Sequence, residues 1–102
     1  MNAAQDIAIE RKLIFTNLLN GCNTQAVAAA FQKSEKEITD TFKFVVQKIK
    51  SYLFERDLLI FPCDTVDDAR KNRLSFLETV EKVNLATQPK FKIITQSAEN
   101  FI

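Results

Sequence analysis

Over residues 6–20 the apolar positions recur with the period of an α-helix. Ile7, Ile14 and Leu18 share one stripe, Leu13, Phe15 and Leu19 widen it, and Glu10, Arg11 and Lys12 cluster among the polar positions. Gly21 follows at once and is the only glycine in the chain. It tolerates the left-handed backbone that a helix stop wants, so the first helix is predicted to end there. Thr24 is predicted to cap a short second helix over 25–31. In it Val27 and Phe31 face inward, and Ala28, Ala29 and Ala30 are small enough for another helix to approach closely. Gln32 and Lys33 then make a tight connection.

Ser34 is followed three residues later by Glu37, a capping box in which hydroxyl and carboxylate each satisfy an orphan backbone N–H. A third helix is predicted from here to about Glu55, because Ile38, Phe42, Val45, Ile49 and Leu53 recur at three- and four-residue spacing with no Gly or Pro before Pro62. At about 1.5 Å per residue it runs for roughly 30 Å, the length of the domain itself. The same 100° step puts Lys36, Asp40, Lys43, Gln47 and Lys50 on the opposite face, with Thr39 at its edge, and that face is net positive. Phe44 projects away from the apolar stripe, and its expected cover is the C-terminal helix or a second subunit.

The short apolar run 58–61 closed by Pro62 reads as a buried connector. Thr65 and Asp68 resemble a capping signal for a further helix, with Val66, Ala69, Arg73, Phe76, Val80 and Val83 on one stripe reinforced by Leu74 and Leu77. From Thr87 onward, past Pro89 and through the alternating Phe91 and Ile93, helical period is lost, so an extended arm, an edge strand or a disordered tail is expected. The pattern as a whole predicts an all-α fold: a three-helix core over 1–57 with a long third helix, a connector and C-terminal helix over 58–86, and a tail over 87–102.

Val27-Ala28, Phe31, Ser34 and Ile38, with Gly21 before and Val45, Lys48 and Ile49 after, resemble the helix-turn-helix of LuxR-type regulators. The likeness covers residues 13–50 and extends more loosely to the related segment of sigma factors. The shared physics is a small Ala where two helices cross, apolar positions that seal the crossing, and a Ser that caps the second helix so that its first turns can enter the major groove. Two positions depart from the pattern: Lys33 stands where these families place an apolar residue, and Gln32 where many helix-turn-helix proteins have Gly. The resemblance implies double-stranded DNA as partner, with Lys33, Ser34 and Lys36 near the backbone. It puts Glu37, Asp40, Thr41 and Lys43 at base edges, and Gln47 and Lys50 farther along the phosphates.

Charge tempers that expectation. The chain has 14 Lys plus Arg against 13 Asp plus Glu, a net +1, so no bulk field draws it to nucleic acid or to an anionic membrane. Glu35, Glu37 and Asp40 also dilute the front of the third helix, repelling phosphates unless they accept hydrogen bonds from bases such as cytosine. The alternative for Lys36, Lys43 and Lys50 is a solvated helix face, with Asp40 paired at four-residue spacing. Arg70, Lys71 and Arg73 read as surface charges, the alternative being an addition to a phosphate-binding surface.

The absences narrow the chemistry further. With no His there is no imidazole for a nucleophile system or for the usual zinc sites, and one Gly excludes phosphate-cradling loops. Cys22 and Cys63 are too few for a thiolate metal site and read as reduced thiols. Asp64, Asp67 and Asp68 suit a helix start better than a cation. No enzyme, cofactor or metal is expected. No apolar run exceeds six residues (26–31), and no signal-like segment opens the chain, so the expected setting is the cytoplasm and no membrane partner is expected.

The leading expectation is a small DNA-binding transcriptional regulator acting as a dimer, since two-fold symmetry doubles the few base contacts one unit can make. Val66, Ala69, Phe76, Val80 and Val83 are the candidate oligomerisation stripe. A second expectation is a viral small terminase subunit, which the chain resembles in size and order. A third is an all-α interaction module that binds no DNA and docks a protein through the C-terminal helix or the segment 91–94.

Overall fold

The computed structural model describes residues 3–57 and 65–87. Every regular element among them is an α-helix: α1 (Ala3–Leu19), α2 (Thr24–Phe31), α3 (Glu35–Glu55), α4 (Val66–Lys71) and α5 (Arg73–Val80). The connector 58–61 with Pro62, and the tail beyond Thr87, lie outside the described residues.

Each helix end has an identifiable cause. α1 closes as anticipated at Gly21, whose φ of 107° lets the Cys22 N–H donate to the Asn17 carbonyl at 3.1 Å and the Gly21 N–H to that of Leu18 at 3.2 Å. α2 begins one residue earlier than expected. Asn23, in extended backbone, accepts from the Ala26 N–H at 2.7 Å, and Thr24 becomes the first helical residue. Asn is the stronger capping side chain of the two, so it takes the position. Gln32 adopts the left-handed conformation (φ 55°, ψ 47°) with the Lys33 N–H donating to the Ala28 carbonyl at 2.9 Å. The tight turn thus forms without the usual glycine and stores backbone strain at Gln32.

Both halves of the Ser34–Glu37 box are formed, at 3.1 Å each. Thr65 caps α4 by accepting from the Asp68 N–H at 3.1 Å. The single C-terminal helix expected there is two: Asn72 breaks it at φ −118°, ψ 32°, and its side-chain amide donates to the Asp68 carbonyl at 3.2 Å. Asn offers the backbone this local alternative to helix continuation.

The core lies where α1, α3 and α5 meet, with α2 packed mainly on α3 and also on α1, and α4 against α1 and α5. Phe15 is fully buried, and its ring stacks on Phe42 of α3 (centroids 5.7 Å apart) and on Phe76 of α5 (6.5 Å). Ile38, Phe42, Val45, Ile49 and Leu53 are all buried, as the third helix's periodicity requires, and Val46 joins them. On α1 the buried stripe is Ile14, Phe15, Leu18 and Leu19, whereas Ile7 and Leu13, which fit the same stripe by spacing, are exposed. On α2 Val27 and Ala28 are buried and Ala29 and Ala30 are exposed, so only one of the three alanines serves the close approach.

Two larger expectations are corrected. Ala69, Phe76 and Val80, expected to meet a second copy, are buried within this chain, with Val66 and Val83 partly buried against the same cluster. The stripe closes the core of α1 and α3, so one buried cluster takes residues from both sides of position 57. Arg70 is likewise not a spare surface charge. Its Nε donates to the Leu18 carbonyl at 2.9 Å and its guanidinium to the Cys22 carbonyl at 3.1 Å, placing a cation on the C-terminal end of α1.

Phe15→Ala or Phe76→Ala is expected to cost about 3–5 kcal/mol in urea unfolding, the range for truncating a buried aromatic. Gln32→Gly is expected to raise stability by about 1 kcal/mol through relief of the left-handed strain. A loss of stability in Gln32→Gly would show that the turn holds Gln32 by an interaction outweighing that strain.

Candidate nucleic-acid interface

α3 is the longest helix, and burial of its apolar stripe fixes which side faces out. Lys36, Asp40, Lys43 and Gln47 lie along that outer side and are exposed, Lys50 is half-buried at its edge, and the exposed Ser51 and Phe54 continue the same row. The angular position of Phe54 follows from the same 100° step as that of Lys36.

The other candidates are committed elsewhere. The Ser34 hydroxyl and the Glu37 carboxylate are occupied by the capping box, and the Thr41 hydroxyl donates to the Glu37 carbonyl at 2.8 Å. Lys33 reaches back to Glu10 of α1 at 3.0 Å, an ion pair that explains the charge at a position otherwise expected to be apolar. Of the nine residues expected to contact DNA, the structure therefore brings Lys36, Asp40, Lys43, Gln47 and Lys50 to one side, while Ser34, Glu37 and Thr41 are engaged at the helix's own start and Lys33 is paired with α1.

Charge along α3 is divided. Residues 35–40 hold Glu35, Glu37 and Asp40 against Lys36, while residues 41–51 hold Lys43, Lys48 and Lys50 and no acid. The acidic front complements the N-terminal end of the helix dipole. Lys36 and Asp40 pair across one turn at 2.9 Å. The basic part of the face is consequently the middle of the helix.

Beside it, Phe44 is covered in a way the sequence does not suggest. The Arg11 guanidinium lies 4.5 Å from its ring centroid and the Lys48 ammonium 5.6 Å, so α1 and α3 itself contribute cations to its cover. Arg11 also donates to the Leu85 carbonyl and, at 2.8 Å, to that of Thr87. Burial lowers its pKa from the ordinary arginine value, and the adjacent Glu10 charge partly offsets this. The guanidinium stays charged nonetheless. One side chain thus joins α1, the flank of α3 and the last described residues. Its run of charged neighbours gives no sign of this, because the interaction spans more than 70 positions.

A hollow of about 240 Å³ lies between the end of α1 and the start of α4, lined by Leu18, Cys22, Asn23, Thr24, Thr65, Val66, Asp67 and Arg70. Cys22 is an exposed free thiol, and Cys63 and Asp64 lie outside the described residues. Among the described residues no three potential ligands cluster around a possible metal position, and no helix is long and apolar enough to cross a membrane. The chain matches no protein-family model, no curated protein and no solved structure.

Arg11→Met is expected to lower stability by about 2 kcal/mol, the scale of removing hydrogen bonds from a charged donor. It should also speed amide exchange at Leu85, measured by mass spectrometry. Unchanged exchange would mean that the segment after α5 is held by its apolar side chains alone.

Proposed function

We propose that this chain is a small DNA-binding protein of the regulatory kind, without enzymatic activity, that lays the outer side of α3 in the major groove. The observation that carries the reading is a helix of 21 residues whose apolar stripe is wholly buried, leaving an uncovered row of hydrogen-bonding side chains in Lys36, Asp40, Lys43 and Gln47. Lys43 supplies attraction to phosphates, and the turn at Gln32 with the Ser34 cap orients the start of the helix. A homodimer belongs to the proposal because one such unit offers few base contacts. It cannot be built on Ala69, Phe76 and Val80, which are buried. Exposed Ile9 and Leu13, one turn apart on α1, are apolar side chains left for it.

A second reading, protein docking without nucleic acid, is favoured by the acidic first turns of α3 and the near-neutral charge of the whole chain.

Fluorescence anisotropy of labelled random-sequence duplex at about 50 and 200 mM salt separates the two. Affinity is expected to fall with salt, and Lys43→Ala is expected to reduce the salt slope by about 1, for the one phosphate left without its lysine. Absence of binding at both salt concentrations, from protein with an intact thermal melt, would overturn the DNA reading in favour of docking.

A further inference from the structure

The ion pair at the front of the exposed row is unusual for a surface that meets phosphates. We infer that Lys36 and Asp40 act together as a reader of one G·C base pair, an inference that rests on the DNA reading above. The pair is held by the four-residue spacing at 2.9 Å, and both members stand out from the helix: the Lys36 side chain is 84% exposed and that of Asp40 48%. Both ends can therefore reach outward without disturbing the core.

The chemistry of the groove selects the target. A carboxylate only accepts hydrogen bonds, and the major-groove donors are cytosine N4 and adenine N6. On adenine the N7 acceptor sits beside N6 and repels a carboxylate, whereas cytosine presents its donor alone. The guanine paired to that cytosine offers O6 and N7, which an ammonium group matches. A G·C pair thus satisfies both charges at once, Asp40 on the cytosine and Lys36 on the guanine. At an A·T pair the one donor, adenine N6, lies between two acceptors, adenine N7 and thymine O4, and both repel the Asp40 carboxylate.

A cation and an anion side by side contribute no net attraction to the DNA backbone. The pair accordingly adds discrimination and not affinity, and salt-dependent binding is left to Lys43. This accounts for an acidic residue at the centre of a row that would otherwise be simply basic.

The test is selection from a randomised duplex pool, followed by sequencing, with the wild-type chain, Asp40→Ala and Asp40→Asn, each checked by its thermal melt. The wild type is expected to enrich one C·G position, whose replacement by T·A weakens binding about tenfold. Asp40→Ala should lose that preference while still binding the unselected pool. Asp40→Asn should move it to adenine, because the amide matches adenine N6 and N7 together. An enrichment identical in all three proteins, or salt-dependent binding with no enriched position, would overturn the inference and leave the DNA reading standing. No salt-dependent binding of the unselected pool by any of the three would remove both.

Discussion

The stacking of Phe15 on Phe42 and on Phe76 is the interaction on which the rest of the molecule depends, since it joins three helices at one fully buried ring. A helix is free to rotate about its own axis until something fixes it. Phe42 fixes α3 by locking its stripe, from Ile38 to Leu53, toward α1. Once that side is chosen, the 100° step leaves Lys36, Asp40, Lys43 and Gln47 facing outward with no remaining freedom. The composition of the outer row is thus a consequence of core packing. Phe76 brings in α5, which is why the C-terminal stripe is consumed within the chain.

The helix ends supply a second layer of constraint, and here two requirements compete. A helix start favours acidic side chains, both for the box made by Ser34 and Glu37 and for the dipole. A face that meets phosphates favours cations. α3 divides the two along its length, acids in its first six residues and lysines in its middle. Lys36 at the front is answered by Asp40, and Lys33 by Glu10 of the neighbouring helix. Much of the local positive charge is neutralised within the chain, in keeping with its small net charge.

The elements governed by local sequence are legible from it. The third helix, its capping box, the stop at Gly21 and the cap at Thr65 depend on neighbours within five positions, and each forms where the residues indicate. Most of the departures arise from interactions between distant positions. Leu13 fits the α1 stripe by spacing, but the core is only wide enough for Ile14, Phe15, Leu18 and Leu19. The stripe containing Ala69, Phe76 and Val80 is apolar as expected, yet its cover is this chain and not a second copy, because periodicity shows that a face is covered and not by what. Arg11 and Arg70 give no local signal for the same reason, as each reaches carbonyls about 50 or more residues away. The shift of the α2 cap from Thr24 to Asn23 is different in kind: two adjacent side chains could both cap, and the stronger one does.

The central claim is that the outer row of α3 is the surface that meets DNA. Amide chemical-shift mapping of the isotope-labelled chain titrated with random-sequence duplex tests it residue by residue. The account requires the perturbations to concentrate at Lys36, Asp40, Lys43, Gln47 and Lys50, with Ile9, Leu13 and Leu74 unmoved by the early additions. Perturbations centred on α1 or α5, or none on α3 while binding is evident, would contradict it.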